Sequence, residues 1–265
     1  MRIPLWQVDA FADRPFTGNP AAVCPLEQWL PEATMQAVAA ENNLSETAFF
    51  VRRSDGEYDL RWFTPRSEVD LCGHATLASA WIVTRELEPA RTRVVFHTRS
   101  GPLAVTRAGD ELSMALPARP PHTVEEPAAL ASALGVTPVS TVRARDLVAV
   151  YARAEDVRAL RPDMTAIEAL EGEFAVCVTA PGTGADADVD FVSRFFAPAK
   201  GVPEDPVTGS SHATLVPYWA ARLGKKVLRA RQTSARGGEL RCQLEGERVV
   251  LTGRAVTVLS GVMTL

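Results

Sequence analysis

The amino-acid sequence predicts an α+β protein of two pseudo-symmetric tandem domains, each with a mostly antiparallel sheet and one central buried helix. Three observations support this prediction. Blocks of sequence recur about half the chain length apart; the predicted strands are short and separated by polar turns; and each half contains one helix that is apolar on most of its faces. Helices and strands do not alternate regularly, which disfavours a doubly wound parallel sheet.

The internal repeat is clearest around two short blocks. Gly73–Trp81 (GHATLASAW) and Ser211–Trp219 (SHATLVPYW) share five residues at a constant offset of 138 positions. Arg61–Pro65 (RWFTP) and Arg194–Pro198 (RFFAP) match at an offset of 133 positions, so the second copy carries a short insertion. Two copies are too few for a solenoid and indicate two homologous domains in tandem.

The domain boundary is predicted in Pro117–Pro127, a proline-rich segment without a hydrophobic period. Such a composition is typical of a linker. The predicted domains are therefore residues 1–117 and 118–265, with the option that the C-terminal strand returns to the first domain.

The predicted elements follow the same order in both halves. A helix is followed by two strands, a turn, the apolar helix and further strands, and the loops AGDE and LEGER predict antiparallel hairpins. Apart from the apolar helix, the elements of the first half are Pro31–Asn42 (helix), Thr47–Arg52, Tyr58–Phe63, Arg93–Thr98, Gly101–Arg107 and Glu111–Leu116. Those of the second half are Met164–Glu171 (helix), Phe174–Thr179, Asp190–Phe196, Lys226–Ala230, Gly238–Leu244 and Arg248–Leu251.

The two helices that begin near the repeated histidines, His74 and His212, are the predicted centres of the domains. A helix that is apolar all round is a buried helix, so we expect each to pack inside its sheet with its N-terminus at an opening. Gly224 is a typical stop for the second helix. Pro217 either kinks that helix or lies in its first turns.

The bulk composition excludes several classes of protein. The formal net charge is −4, whereas nucleic-acid-binding domains usually carry a basic patch. The apolar runs are too short for a membrane span, and the N-terminus lacks the apolar region of a signal peptide. The four cysteines are widely spaced, unlike a disulfide framework or a zinc site, and common nucleotide-binding and hydrolase motifs are absent. We therefore expect a cytoplasmic protein with free thiols.

The starts of the two apolar helices are the predicted binding site. A helix N-terminus offers unpaired N–H groups and a positive dipole end, which suit a carboxylate or a phosphate. Gly73 allows a ligand to approach the backbone, and Thr208, Gly209, Ser210 and Ser211 add hydroxyl groups at the second start. The alternative is that the hydroxyl residues are only N-caps.

Three titratable residues are the candidates for chemistry: Glu46, His74 and Asp205. Glu46 stands where a polar loop enters an apolar strand, and partial burial there is expected to raise its pKa and suit it to acid–base work. The alternatives are a surface glutamate, a histidine kept for packing and a plain Asp-Pro turn. Cys72 is either a thiol acid, base or nucleophile, or merely a small buried residue.

Four motifs resemble the PhzF-like family of phenazine biosynthesis proteins, within the diaminopimelate epimerase fold superfamily. They run in order along the chain and are FTGNPAAV (residues 16–23), NLSETAF (43–49), CGHAT (72–76) and EDPVTGS (204–210). The resemblance implies two domains whose sheets roll around a central helix, with an active site between them. It also implies an enzyme without a metal or an organic cofactor, and a homodimer.

The resemblance assigns roles to particular residues. A glutamate that matches Glu46 moves a proton during isomerisation of a dihydro-hydroxyanthranilate, and residues that match His74, Asp205 and Ser210 line the site. The motifs add Asn19 and Ser45 as substrate-binding candidates. Epimerases of the superfamily use two facing cysteines, but beside Cys72 this chain offers no second cysteine in the matching place, which favours carboxylate chemistry.

The leading hypothesis is a cofactor-independent isomerase that acts on a small anionic metabolite. The metabolite's carboxylate would lie across the helix starts while Glu46 carries a proton and His74 and Asp205 position or relay it. Two rivals remain open. One is an epimerase or racemase with opposed bases, and the other is a metabolite-binding protein without turnover.

Overall fold

The computed structural model describes residues 1–126, 129–170 and 175–265. The chain divides into two compact units, one formed by Met1–Ala115 with Thr252–Leu265 and the other by Leu116–Leu251. Among the described residues, no helix combines the length and the apolar character that a membrane span requires.

The elements are numbered in chain order. The first are β1 Arg2–Ala10, β2 Asn19–Leu26, α1 Glu32–Asn42, β3 Glu46–Arg52, β4 Tyr58–Phe63, β5 Glu68–Val69, α2 Gly73–Ile82, β6 Arg93–Thr98, β7 Gly101–Ala108 and β8 Glu111–Pro117. They are followed by β9 His122–Val124, α3 Leu130–Leu134, β10 Ser140–Arg143, β11 Leu147–Val150, α4 Ala154–Ala159, α5 Met164–Glu168, β12 Val176–Pro181, β13 Phe191–Ala197, β14 Val202–Asp205, α6 Gly209–Leu223, β15 Val227–Gln232, β16 Gly238–Glu245 and β17 Arg248–Thr264.

The strands of the first unit form a closed ring. Its order is β1, β2, β3, β4, β6, β7, β8 and β17, and β17 pairs with β1 to complete it. Pairs β2–β3 and β4–β6 are parallel, while β1–β2, β3–β4, β6–β7, β7–β8 and β1–β17 are antiparallel. The unit is therefore α+β with a mostly antiparallel sheet, as the sequence predicts.

Helix α2 is the buried helix of this unit. It packs against β1, β2, β3 and β7, and all its residues from Gly73 to Ala80 are buried. The hydroxyls of Thr76 and Ser79 donate to the carbonyl oxygens four residues earlier, at 2.5 and 2.7 Å, so their burial leaves no hydroxyl unpaired. The prediction of a helix buried on most faces is confirmed.

The second unit repeats the pattern of strand directions. Pairs β10–β11, β12–β13 and β15–β16 are antiparallel, and the intervening pairs β11–β12 and β13–β15 are parallel. This is the same alternation as from β1 to β7. Its buried helix, α6, packs against β15 and β16.

Pro217 lies inside α6, and the surrounding structure compensates for it. A proline has no N–H, so the carbonyl of Ala213, four residues earlier, loses its helical donor. That carbonyl accepts instead from the backbone N–H of Arg119 at 2.8 Å. The helix then continues to Leu223 and ends at Gly224, whose φ of +63° is the left-handed cap expected there.

Most predicted elements are found within one or two residues of their expected bounds, but the last strand is longer. The predicted strand Arg248–Leu251 is the first part of β17, which continues to Thr264 because it finds further partners in β8 and β1. Three bounds of predicted segments lie outside the described residues. They are the end of the linker at Pro127, the end of a helix at Glu171 and the start of a strand at Phe174.

Candidate active site

Glu46 is the first residue of β3, where the chain enters an apolar strand. Parallel pairing places it beside Ala21 of β2, and Asn19 lies two residues earlier on the same face of that strand. The Glu46 side chain is 15% exposed, which favours a partly buried glutamate over the alternative of a surface one. Ser45 precedes it in the chain and is half-buried.

His74 is the second residue of α2, and its side chain is 4% exposed. Its Nε2 lies 3.0 Å from Oε2 of Glu46. Its Nδ1 lies 3.1 Å from Nδ2 of Asn19 and 3.5 Å from Sγ of Cys72. The structure thus brings together four residues, Asn19, Glu46, Cys72 and His74, which we call the histidine cluster.

The contacts of His74 fix where its proton lies. Because the Asn19 amide nitrogen donates to Nδ1, the neutral ring carries its proton on Nε2, the nitrogen that lies 3.0 Å from Oε2 of Glu46. Burial lowers the pKa of His74, but the adjoining Glu46 carboxylate opposes burial, and the net direction is a pKa well above the usual value.

Cys72 is the N-cap residue of α2 and is 5% exposed. Burial, together with the Glu46 carboxylate, raises the pKa of its thiol to about 11. The thiolate, not the thiol, is the reactive form, so Cys72 is a neutral neighbour of His74 at physiological pH. The geometry favours the interpretation of Cys72 as a small buried residue over a nucleophile.

A metal ion fits the histidine cluster poorly. Glu46, Cys72 and His74 each offer one possible ligand atom, and these three atoms lie within 4.8 Å of one another. However, Cys72 faces Nδ1 and Glu46 faces Nε2. These two nitrogens point away from each other around the imidazole ring, so a single ion cannot bind all three residues with His74 in this position.

A second group of possible metal ligands, Asp55, Glu57 and His97, lies towards the surface of the first unit. Both carboxylate oxygens of Asp55 already accept hydrogen bonds, one from the backbone N–H of Glu57 at 3.0 Å and one from Arg53 Nε at 3.1 Å. A cation would have to displace the Arg53 guanidinium, so this group also fits a metal poorly.

Asp205, in the second unit, is the last residue of β14 and is half-buried. Its carboxylate oxygen Oδ2 accepts from the Thr208 hydroxyl at 2.5 Å. The Asp205 side chain is thus held by a residue three positions later in the chain.

The start of α6 supplies the other predicted binding residues. Thr208 is the N-cap by position, but its side chain makes no capping bond, since its hydroxyl serves Asp205 instead. Ser211 Oγ donates to the Thr208 carbonyl at 2.9 Å. Gly209 is buried and Ser210 is half-buried at the first turn, where backbone N–H groups have no partner within the helix.

The structure corrects the pairing of the two histidines. The sequence repeat aligns His74 with His212, but His74 is the second residue of its helix and His212 the fourth of its own. Thr76 Oγ1 and His212 Nδ1 both donate to the carbonyl of their N-cap residue, at 2.5 and 2.8 Å. Counted from the caps, His212 corresponds to Thr76, and Ser210 takes the place of His74.

The carboxylates are not repeated either. The middle residue of RWF in β4 pairs with Val69, and the middle residue of RFF in β13 pairs with Asp205. On their other side, the same two aromatics pair with residues of β3 and β12. The partner in β3 lies two positions after Glu46, and the partner in β12 lies two positions after Ala175. Each unit therefore carries one carboxylate where the other has an apolar residue.

Sequence reasoning missed Gln232, the last residue of β15. Its side chain is fully buried and contacts Asp205 and Thr208. A single glutamine at the end of a strand has no distinctive sequence signal, so only the structure identifies it.

The chain matches the sequence profile of the PhzC-PhzF family, described as phenazine biosynthesis-like protein, over residues 8–261. The protein belongs to this family. A protein of Pseudomonas aeruginosa named as an uncharacterized isomerase is 50% identical over 265 residues, which cover the whole of both chains. A protein of Halalkalibacterium halodurans with the same kind of name is 43% identical over 269 residues and the full length of both.

A solved structure supports the same assignment. The crystal structure of a PhzF-family phenazine biosynthesis protein from Enterococcus faecalis is 45% identical and superposes with a TM-score of 0.94 over the whole of both chains. The predicted family and the predicted class of enzyme, an isomerase, are both confirmed by these matches.

Proposed function

We propose that this isomerase moves a proton between two carbons of a small carboxylate-bearing metabolite, with Glu46 as the acid–base group. The observation that carries the proposal is the buried contact of 3.0 Å between Glu46 and His74 at the start of a buried helix. A partly buried carboxylate beside an imidazole is a typical site for acid–base chemistry.

The proton transfer needs no external acid or oxidant. Glu46 takes a proton from one carbon as a C–H bond breaks and the double bond shifts. It returns the proton to another carbon, so the enzyme ends in its starting state. His74 lies with Nε2 3.0 Å from the Glu46 carboxylate, and the Asn19 amide donates to Nδ1 on the far side of the ring.

The helix starts are the proposed anchors for the substrate carboxylate. Gly73 begins α2 beside His74, and a ligand can come close to its backbone N–H because it has no side chain. In the second unit, Asp205 and Ser210 are the proposed contributors. The expectation that both helix starts face one cleft stays a prediction.

The strand registers support the proposal that the two units are copies of one ancestral fold in which a sheet rolls around a helix. The copies then diverged at their carboxylates. Such divergence removes the symmetry that a two-thiol epimerase needs, because the N-cap residue is Cys72 in one unit and Thr208 in the other.

The test is the variant Glu46→Gln, which preserves shape and removes the titrating group. With a dihydro-hydroxyanthranilate as the probe, we expect a loss of kcat of about 10²–10⁴-fold when activity is normalised to the folded fraction. Glu57→Gln is the matched control, because Glu57 also contacts a histidine, His97, at 2.5 Å and lies outside the cluster. Wild-type turnover by Glu46→Gln would refute the assignment.

The same assay in D₂O separates a double-bond shift from epimerisation. Mass spectrometry and NMR of the product should place deuterium at the carbon that gains the proton, with the double bond moved. Deuterium at a stereocentre of otherwise unchanged substrate, with loss of optical rotation, would indicate an epimerase instead.

A further inference from the structure

The side chain of Gln232 joins Asp205, the last residue of β14, to Thr208, the N-cap residue of α6. It is fully buried. Its Oε1 accepts from the backbone N–H of Thr208 at 2.9 Å. Its Nε2 donates to the backbone carbonyl of Asp205 at 2.6 Å and to Oγ1 of Thr208 at 3.2 Å. One amide thus makes three hydrogen bonds within a four-residue stretch.

These contacts fix the direction of each hydrogen bond in the series from Gln232 through Thr208 to Asp205. The amide has only one orientation, since a backbone N–H must meet an oxygen and a carbonyl must meet a nitrogen. Thr208 Oγ1 therefore accepts from Gln232, and its own proton is left for Oδ2 of Asp205, 2.5 Å away. The Thr208 hydroxyl is held as a donor to the carboxylate.

The stretch from Asp205 to Thr208 depends on side chains because regular structure does not satisfy it. Pro206 has no N–H, and the residues between β14 and α6 lie outside both elements. Ser234, just after β15, donates from Oγ to the Pro206 carbonyl at 2.9 Å. The end of β15 therefore supplies hydrogen-bond partners to three backbone groups of this stretch.

We propose that Gln232 is a positioning residue of the isomerase, which orients the Asp205 carboxylate through the Thr208 hydroxyl. This inference rests on the proposed function in one respect, namely that Asp205 acts on the substrate. Its geometric part, the hold of Gln232 on Thr208, is independent of any substrate.

The experiment compares Gln232→Leu and Gln232→Glu with wild type. Gln243→Leu is the matched control, because Gln243 is exposed on the neighbouring strand β16. Two readouts are taken: amide hydrogen exchange at Thr208 by NMR, and kcat and KM with a dihydro-hydroxyanthranilate, normalised to the folded fraction.

The two variants separate the backbone hold from the orientation of the carboxylate. Gln232→Leu should speed exchange of the Thr208 amide about tenfold and lower kcat by about 10- to 100-fold. Gln232→Glu keeps an acceptor for that amide, so exchange stays slow, but it loses both donors and kcat falls. A merely structural role would lower the melting temperature and leave kcat of the folded fraction unchanged, which overturns the proposal.

Thr208→Val tests the route and covers the case in which Gln232→Leu does not fold. It removes the hydroxyl and should lower kcat as Gln232→Glu does. In the double variant that combines Thr208→Val with Gln232→Glu, the two losses of kcat should not add, since both substitutions act on the same carboxylate. Additive losses of kcat overturn the proposed route from Gln232 through Thr208 to Asp205. If Asp205→Asn is fully active, the role of Asp205 in the proposed function fails; if only the Gln232 variants are fully active, the inference fails alone.

Discussion

Lowering the pH should destabilise the second unit through His212. This residue is fully buried, its Nδ1 donates to the Thr208 carbonyl at 2.8 Å, and its ring lies 5.8 Å from that of Phe191. Burial lowers its pKa from 6.5 to about 4, against the opposing effect of the bond to Thr208. The folded protein therefore keeps His212 neutral at a pH at which the unfolded chain has already bound a proton.

The sign and the size follow from the two pKa values. A folded-state pKa below the unfolded one gives a stabilisation that is present above pH 6.5 and lost as the pH falls towards 4. At about 1.4 kcal/mol per pH unit, the loss approaches about 3 kcal/mol at the low limit and is about 2.5 kcal/mol at pH ~4.5.

The assay is urea unfolding, followed by circular dichroism, at two pH values on either side of this window. His212→Asn keeps a donor for the Thr208 carbonyl but does not titrate. Between pH ~7.5 and ~4.5, wild type should lose about 2.5 kcal/mol more unfolding free energy than this variant. His122→Asn, in an exposed strand of the same unit, is the control and should match wild type. Equal pH dependence in wild type and His212→Asn refutes the reasoning.

Two further predictions concern the first unit. The raised pKa of His74 stabilises the fold fully below pH 6.5, the unfolded value, and this stabilisation is lost as the pH rises through the folded one. The difference in unfolding free energy between wild type and His74→Gln should therefore shrink as the pH rises, and a difference that grows contradicts it. Gly18→Ala should cost more stability than Gly101→Ala, because both have positive φ but an added Cβ at Gly18 collides with the Ala10 carbonyl oxygen, whereas at Gly101 it meets nothing within 4 Å. Thermal melting should show a loss of about 1 kcal/mol for Gly101→Ala and at least twice that for Gly18→Ala; equal losses would contradict the steric argument.

The local sequence predicted the elements that have strong local signals. Helix α1, strands β3 and β4 and the hairpins from β6 to β8 lie where hydrophobic periodicity and turn residues place them. The stop of α6 at Gly224 was also predictable, because a glycine there takes a left-handed conformation at little cost. Strands β10 and β11 are only four residues each and were not predicted, since so short a segment carries too little pattern.

The sequence also predicted the members of the histidine cluster, but for different reasons. Glu46 and His74 were identified by their places at a strand start and a helix start, while Asn19 came only from the family motif. The distance of 3.0 Å between Glu46 and His74 joins residues that are far apart in the chain. It depends on the pairing of β2 with β3 and on how α2 packs against them.

By itself, the sequence determined the α+β class, the family and the titratable residues, because these depend on local pattern and on which side chains are present. Only the tertiary structure decided which residues correspond in the two units and which side chains hold the carboxylates. His212 matches His74 in sequence but not in its place from the helix cap, and Gln232 lies 27 positions from Asp205 in the chain. Hydrogen-bond geometry depends on positions in space, and a one-dimensional alignment does not record them.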